Sequence, residues 1–288
     1  MSFKDALRSG KFIVTMDTIP PKGVDLSGNF KRIRNLKGRV DGVNVVDMPS
    51  AVMRMNSLAL SHLLIEKGFE PILQITCRDR NRLGLQADLL GAAALGIENI
   101  LILKGDKVEL SDDPNVKPVF DLDSVDLLKT ARGLEKGNDM TGKGLKGSPA
   151  FCLGAALDPF VEPLETEIER MERKISAGAE FFQTQPVFDP DSFIDFMKKV
   201  SPVNTPIIAG IFLLKSVKMA QFVNKSVPGV TVPDEIIAEM ENTDDIVKKS
   251  IEIAVRIIKS IKGISKGVHI MTIGWEDKVS YILDALKM

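Results

Sequence analysis

The sequence predicts an α/β protein, a single (β/α)8 barrel of TIM type spanning residues 1–288. Two observations carry that expectation. Short apolar, β-branched runs occur at 11–18, 41–47, 70–76, 99–105, 150–156, 180–185, 206–212 and 267–273, and longer segments with helical spacing lie between most of them. The runs are almost continuously apolar, which is what strands covered on both faces require. Eight such alternations favour a closed barrel over an open doubly wound sheet. An open sheet would carry a Gly-rich dinucleotide fingerprint after its first strand, and "MDTIPPKG" at 16–23 has prolines there instead.

Each element has its own signal. The first strand, "KFIVTMDT", stops at the Pro20–Pro21 pair, and the second, "DGVNVVD", stops at Asp47 before the helical stretch 51–68 closed by Gly68. "EPILQIT" precedes a helix over 83–96, and "NILILKG" precedes a long loop and a helix over 122–137. "GNDMTGKG" at 137–144 imitates a phosphate loop but has Gly144 where a Ser or Thr must hold magnesium, so it is expected to be a flexible connection. "AFCLGAA" leads to a helix over 164–178 and "EFFQTQ" to one over 191–200. "PIIAGIF" is followed by helical patterns at 216–224 and 245–263, and "GVHIMTI" is the eighth strand.

Composition bounds the function classes. Hydrophobic residues are 44% and charged residues 27%, with Lys+Arg 38 against Asp+Glu 39, the profile of a soluble globular protein without an electrostatic footprint for nucleic acid. Cys77 and Cys152 lie in apolar stretches, so neither a disulfide framework nor a cysteine-held cluster is expected. His62 and His269 are too few for a histidine-based metal site, and no metal is expected. The single Trp275 and single Tyr281 argue against an aromatic platform for single strands. "MSFKDALRSGKFIV" lacks the apolar core of a signal peptide and no stretch is long and apolar enough to span a bilayer, so a cytoplasmic protein without membrane insertion is expected.

In a barrel, functional groups gather where the strands end. The residues falling there are Asp17, Asp47, Thr76, Arg78, Asp79, Lys104, Gly105, Asp106, Ala156, Asp158, Gln183, Gln185, Lys215, Trp275 and Glu276, most of them polar. Carboxylates, amides and cations around an apolar rim suit an organic ligand with phosphate and amide edges. Gly105 in "LILKGD" allows close backbone approach to a flat ligand, and Asp106 adds a carboxylate over the mouth, although Gly and Asp are also common at ordinary strand exits. Period two places Gln183 and Gln185 on one face, as recognition of a heterocycle's donor and acceptor edge would need.

"ITCRDRNR", "LILKGD", "PVFDLDSVDLL", "LGAALDP", "RKISAGAEFFQTQPVFD", "PIIAGI" and "GVHIMT" resemble the methylenetetrahydrofolate reductase family, in register from about residue 10 to the end. The resemblance implies a short, barrel-only bacterial type that reduces 5,10-methylenetetrahydrofolate to 5-methyltetrahydrofolate with a flavin, FAD ahead of FMN. It places Thr76, Arg78, Asp79, Lys104, Gly105, Asp106, Ala156, Arg173 and Lys174 at the flavin. Asp17, Asp106, Gln183 and Gln185 fall at the folate, with Asp17 and Asp106 as the catalytic carboxylates. Three departures stand out: Asp17 where the family usually has Glu, Gln74 for a common His, and Leu157 for a flavin-contacting Tyr. The electron donor implied is NAD(P)H or a separate reduced iron–sulfur subunit, in a homo-oligomer or a hetero-complex. Competing readings are a folate-binding methyltransferase barrel, a flavin-free nicotinamide-dependent reductase and a folate-binding partner without redox chemistry of its own.

Overall fold

The computed structural model describes residues 1–226 and 229–288. Eight parallel strands close into a barrel in sequence order: β1 (Ile13–Thr18), β2 (Gly42–Val45), β3 (Pro71–Thr76), β4 (Asn99–Leu103), β5 (Cys152–Leu157), β6 (Phe181–Pro186), β7 (Ile207–Phe212) and β8 (Gly267–Met271). The barrel closes where β1 pairs with β8, Thr15 standing opposite His269. All eight predicted strands are present, each trimmed or shifted by a residue or two.

The helices are α1 (Phe3–Arg8), α2 (Ser27–Ile33), α3 (Ser57–Glu66), α4 (Arg82–Ala94), α5 (Ser124–Glu135), α6 (Leu164–Ser176), α7 (Pro190–Val200), α8 (Val217–Ser226), α9 (Asp234–Glu241), α10 (Ile246–Ile261) and α11 (Val279–Ala285). Periodicity did not mark α1, α2, α9 and α11, which are at most eight residues long and so present barely two turns of pattern. Outward strand residues such as Val14, Val43, Leu73, Ile100, Phe182 and Ile270 pack with the inner faces of the helices in one continuous core. The 137–144 segment is more than a tether. An antiparallel bridge joins Asn138 to Gly144, and Asp139 accepts from the backbone N–H of Thr141 and Lys143, so the segment closes on itself as an Asx-type turn.

A second apolar cluster fills the amino-terminal end of the barrel. Phe3, Ala6 and Leu7 of α1 lie on Ile13, Ile72, Leu101, Cys152, Phe181 and Ile208. Ser2 caps α1, accepting from the Asp5 N–H at 3.1 Å, and Asp5 returns the bond, which fixes this short helix as a floor. The Phe3 and Phe181 rings meet edge to face at 5.2 Å between centroids. Gly154 is required beside them, because a Cβ there would stand 2.2 Å from the Phe181 ring. With the floor sealed, the opposite end is the open one.

Phe3→Ala leaves a cavity under the barrel and is expected to cost about 3–5 kcal/mol in denaturant unfolding. A loss below about 1 kcal/mol would show that α1 is not the floor on which the barrel rests.

Candidate functional site

Above the floor the barrel interior turns polar. Gln183 and Asn44 exchange amide hydrogen bonds of 2.7 and 3.2 Å, and Gln183 also reaches the Thr15 hydroxyl, which lies 3.0 Å from His269 Nδ1. These groups satisfy one another in a buried layer, as dehydrated polar groups must. His269 is driven down to a pKa of about 3 by burial and is therefore neutral. Gln183 is one of the residues expected at the folate. Its amide is committed to the layer beneath the mouth. Gln185, two residues on, is half-buried, and the β6–β7 register shifts between Gln183 and Pro186, so the two glutamines do not form one recognition edge.

Asp17 stands at the carboxyl end of β1, 5% exposed. Its Oδ1 accepts from both the backbone N–H and the hydroxyl of Thr272, each at 2.7 Å. Burial pushes the Asp17 pKa up to about 6; the Thr272 bonds oppose the rise and the nearby Glu276 charge adds to it. Glu276 is itself fully buried, bonded to Arg32 Nε at 2.6 Å and to the Thr18 hydroxyl at 3.1 Å. Lys215, after β7, places its ammonium 5.1 Å from the Trp275 ring, and burial lowers its pKa despite the attraction of Glu276 and Asp17. The sequence placed Lys215, Trp275 and Glu276 at the rim. Thr272 and Arg32 were missed: the first carries no distinguishing signal, and the second is 244 residues from its partner.

The other side of the mouth is a knot of charged side chains. Asp47 accepts from the backbone N–H and hydroxyl of Thr76, at 2.9 and 3.0 Å, and pairs with Arg80, which also holds Asp88 at 3.0 Å. Arg78 is fully buried. It grips Asp79 with two bonds of 2.7 Å and donates to the carbonyls of Met48 and, at 3.5 Å, Asp106. Asp106 Oδ2 accepts the Ser50 N–H at 2.6 Å. The cluster "CRDR" thus stitches together the loops after β2, β3 and β4. Of the residues expected at the ligand, Arg78 and Asp79 pair with each other here and Thr76 bonds Asp47. The loop after β2 needs this restraint, because Met48, Ser50 and Ala51 adopt positive φ.

Gly105, at the exit of β4, has φ +96°, and a Cβ there would lie 2.8 Å from Arg78 Cβ and 3.1 Å from Thr76 Cβ. Lys104 is exposed beside the Phe120 ring, 6.0 Å from its centroid. Ala156 is half-buried at the end of β5, and its carbonyl accepts from Lys174 Nζ at 2.7 Å. Burial lowers the Lys174 pKa, and no carboxylate lies within salt-bridge distance of it among the described residues. Arg173, one residue earlier, does not join it. It is exposed in the groove between α5 and α6, because successive helical residues point about 100° apart. No group of three or more potential metal ligands occurs among the described residues.

Known proteins resemble the chain along its whole length. It is 26% identical over 77% of its length to "Methylenetetrahydrofolate reductase 1" of Schizosaccharomyces pombe, and 25% identical over 94% to "Probable methylenetetrahydrofolate reductase (NADPH)" of Caenorhabditis elegans. It spans only 37% and 42% of those two proteins. To "5,10-methylenetetrahydrofolate reductase" of Pectobacterium carotovorum it is 24% identical over 74% of its length, covering 67% of that protein. Among solved structures, an uncharacterized protein from Clostridium thermocellum that binds two copies of 5-methyl-5,6,7,8-tetrahydrofolic acid aligns over both whole chains with a TM-score of 0.69, and at 18% identity this is a likeness of fold. The family profile described as "Methylenetetrahydrofolate reductase" covers residues 2–287, from the floor helix to the last turn of the barrel, and with the mouth built as above the chain belongs to the methylenetetrahydrofolate reductase family.

Proposed function

We propose that this barrel reduces 5,10-methylenetetrahydrofolate to 5-methyltetrahydrofolate, with Asp17 as the acid of the reaction. The single observation that carries the reading is a buried carboxyl with a pKa near 6 at the open end of a family barrel. Family membership supports the substrate class, as does the folate described in the Clostridium thermocellum neighbour.

The chemistry requires such an acid. The five-membered ring of the substrate opens when the bond between its bridging methylene and the departing nitrogen breaks, and that nitrogen takes a proton. The iminium left behind accepts a hydride at the same carbon, giving a methyl group. Asp17 supplies the proton because dehydration holds a useful fraction of it in the acid form near neutrality, where an ordinary aspartate would be almost wholly ionised. Thr272 fixes one oxygen through two hydrogen bonds, and the other has no partner among the described residues, leaving it free to face a ligand. Asp is one methylene shorter than the family's usual Glu, so the substrate nitrogen comes close to β1 or a water relays the proton. Gln185 supplies an amide to the pterin from β6, and Asp106, anchored at one oxygen by Ser50, presents the other from β4.

The donor set fits a flavin. Gly105 at the exit of β4 and Ala156 near the end of β5 present only small residues there, and the dehydrated Lys174 ammonium, bonded to the Ala156 carbonyl, lacks a carboxylate partner, as a phosphate site would need. A flavin held there would supply the hydride. Lys104 flanks the same strand end, and Arg78, Asp79 and Thr76 keep the surrounding loops in place for it.

Protein purified with its cofactor is expected to be yellow and to release the chromophore on heat denaturation, since both cysteines are buried and unavailable for covalent attachment. Colourless protein that also fails to take up added FAD or FMN would remove the flavin from this account.

Asp17→Asn is expected to lower methylenetetrahydrofolate reduction by roughly 10²–10⁴ while leaving reduction of the bound flavin near normal. Because the acid form is the active one and its pKa is raised to about 6, wild-type kcat/KM for the folate should be highest below that pH and fall as pH rises through it. The variant should lack this limb. Equal rates in the two proteins would mean that another group protonates the nitrogen.

A further inference from the structure

Gln74 is a polar side chain of the barrel interior that the protein itself leaves unbonded. On β3, Leu73 and Ile75 pack outward against the helices and Ile72 joins the floor cluster, so strand alternation turns Gln74 inward. Its backbone carbonyl accepts the Ser57 hydroxyl at 3.1 Å, but its side-chain amide has no hydrogen-bond partner among the described residues, at 8% exposure. Asn44 and Gln183, the amides of the layer below the mouth, bond each other. Strand pairing sets the height of Gln74. Asp17 pairs with Asn44 and Asn44 with Ile72, and in a tilted barrel of eight strands the same level lies about one residue further along each successive strand. Gln74 is therefore level with Asp17. Continuing from Ile72 through Asn99 to Cys152 brings Ala156 to that level too.

A buried amide without partners is a net cost to the folded chain. Its surroundings do not relieve that cost. The inward positions of β4 and β5 beside it are Leu101, Leu103, Gly154 and Ala156, none with a polar side chain, and a water there would find few partners among them. What can satisfy the amide is a ligand that enters at the open end and rests on the layer of Asp17 and Ala156. A primary amide donates and accepts in one plane, which matches a flat ring carrying a carbonyl and an N–H along its edge. Flavin and pterin rings share that edge. Gly105, Ala156 and Lys174 favour the flavin over β3 to β5, and Gln185 and Asp106 already serve the pterin.

We propose that Gln74 is a ligand-contacting residue, its side-chain amide hydrogen-bonding the carbonyl and N–H edge of the flavin ring where that ring settles on the layer of Asp17 and Ala156. The inference rests on the flavin reading and adds to it a residue from inside the barrel wall, below the loops that supply the other contacts. It accounts for an amide standing where an apolar side chain would make the empty barrel more stable.

Gln74→Met keeps the length of the side chain and removes its donor and acceptor. Two measurements decide the matter: urea unfolding of the flavin-free full chain, and Kd for FAD and FMN by quenching of flavin fluorescence. Flavin-free Q74M should be at least as stable as flavin-free wild type, whereas Q183M, which strands Asn44, should be less stable. Flavin binding by Q74M should weaken about three- to tenfold, the loss of a hydrogen bond. Its Kd for 5-methyltetrahydrofolate at saturating flavin should stay near the wild-type value. A flavin-free Q74M that is less stable than wild type, or that does not fold, shows that the amide serves the protein itself and overturns the proposal. Unchanged flavin affinity also overturns it, and a loss of folate affinity in its place assigns the amide to the pterin. Wild-type protein that takes up neither flavin overturns the flavin reading itself, a result seen before any variant is made.

Discussion

Dehydration of one carboxyl group, at the seam where β1 meets β8, is the constraint on which this site depends. Closing the barrel brings Thr272 against Asp17, and the fully buried Glu276 sits close enough for its charge to be felt. Ionised Asp17 would be buried with hydrogen-bond donors but no cation in direct contact, so the proton is held more tightly than in the unfolded chain. The sign follows directly. The folded pKa lies above the unfolded value of about 3.8, so Asp17 favours folding least at high pH, and its contribution is lost as pH rises from about 4 through about 6. The fold gives up some stability near neutrality to keep an acid at its mouth.

Holding that acid in place is a matter of satisfied polar groups on every side. The amide layer of Asn44, Gln183, Thr15 and His269 supports it from below, and Arg32 neutralises Glu276 behind it. Across the mouth, Arg78, Arg80, Asp47 and Asp79 consume each other's charge and pin three loops whose backbone includes left-handed residues. A buried ion network of this kind is a weak source of net stability and a strong source of geometry. Its effect here is to leave Asp17, Gln185, Lys104, Lys174, Lys215 and one oxygen of Asp106 among the groups near the mouth with capacity to spare.

The fold was legible because buried parallel strands write themselves as continuous apolar runs, and the eight runs each became a strand. Short helices were not, since α2 or α11 offers too little sequence for a period to show. At the site, strand-end position correctly brought Asp17, Gly105, Ala156 and Lys215 to the open end. It could not say which polar side chains are already spoken for. "ITCRDRNR" reads from sequence as a ligand grip, and Arg78 in it is wholly interior because its neighbour Asp79 and, from the loops after β2 and β4, the carbonyls of Met48 and Asp106 converge on it. Nor could sequence pair Gln183 with Asn44, 139 residues away. Arg173 and Lys174 are neighbours in sequence and face different environments, a distinction that helix phase makes and composition does not.

The central claim is the protonation state of Asp17, and it can be observed without substrate or turnover. Carboxyl-region infrared difference spectra, or carboxyl carbon resonances of labelled protein, recorded from pH 4 to pH 8 and compared with Asp17→Asn, isolate its titration. The account predicts a midpoint near 6. A carboxyl at this position already ionised at pH 4 would contradict it.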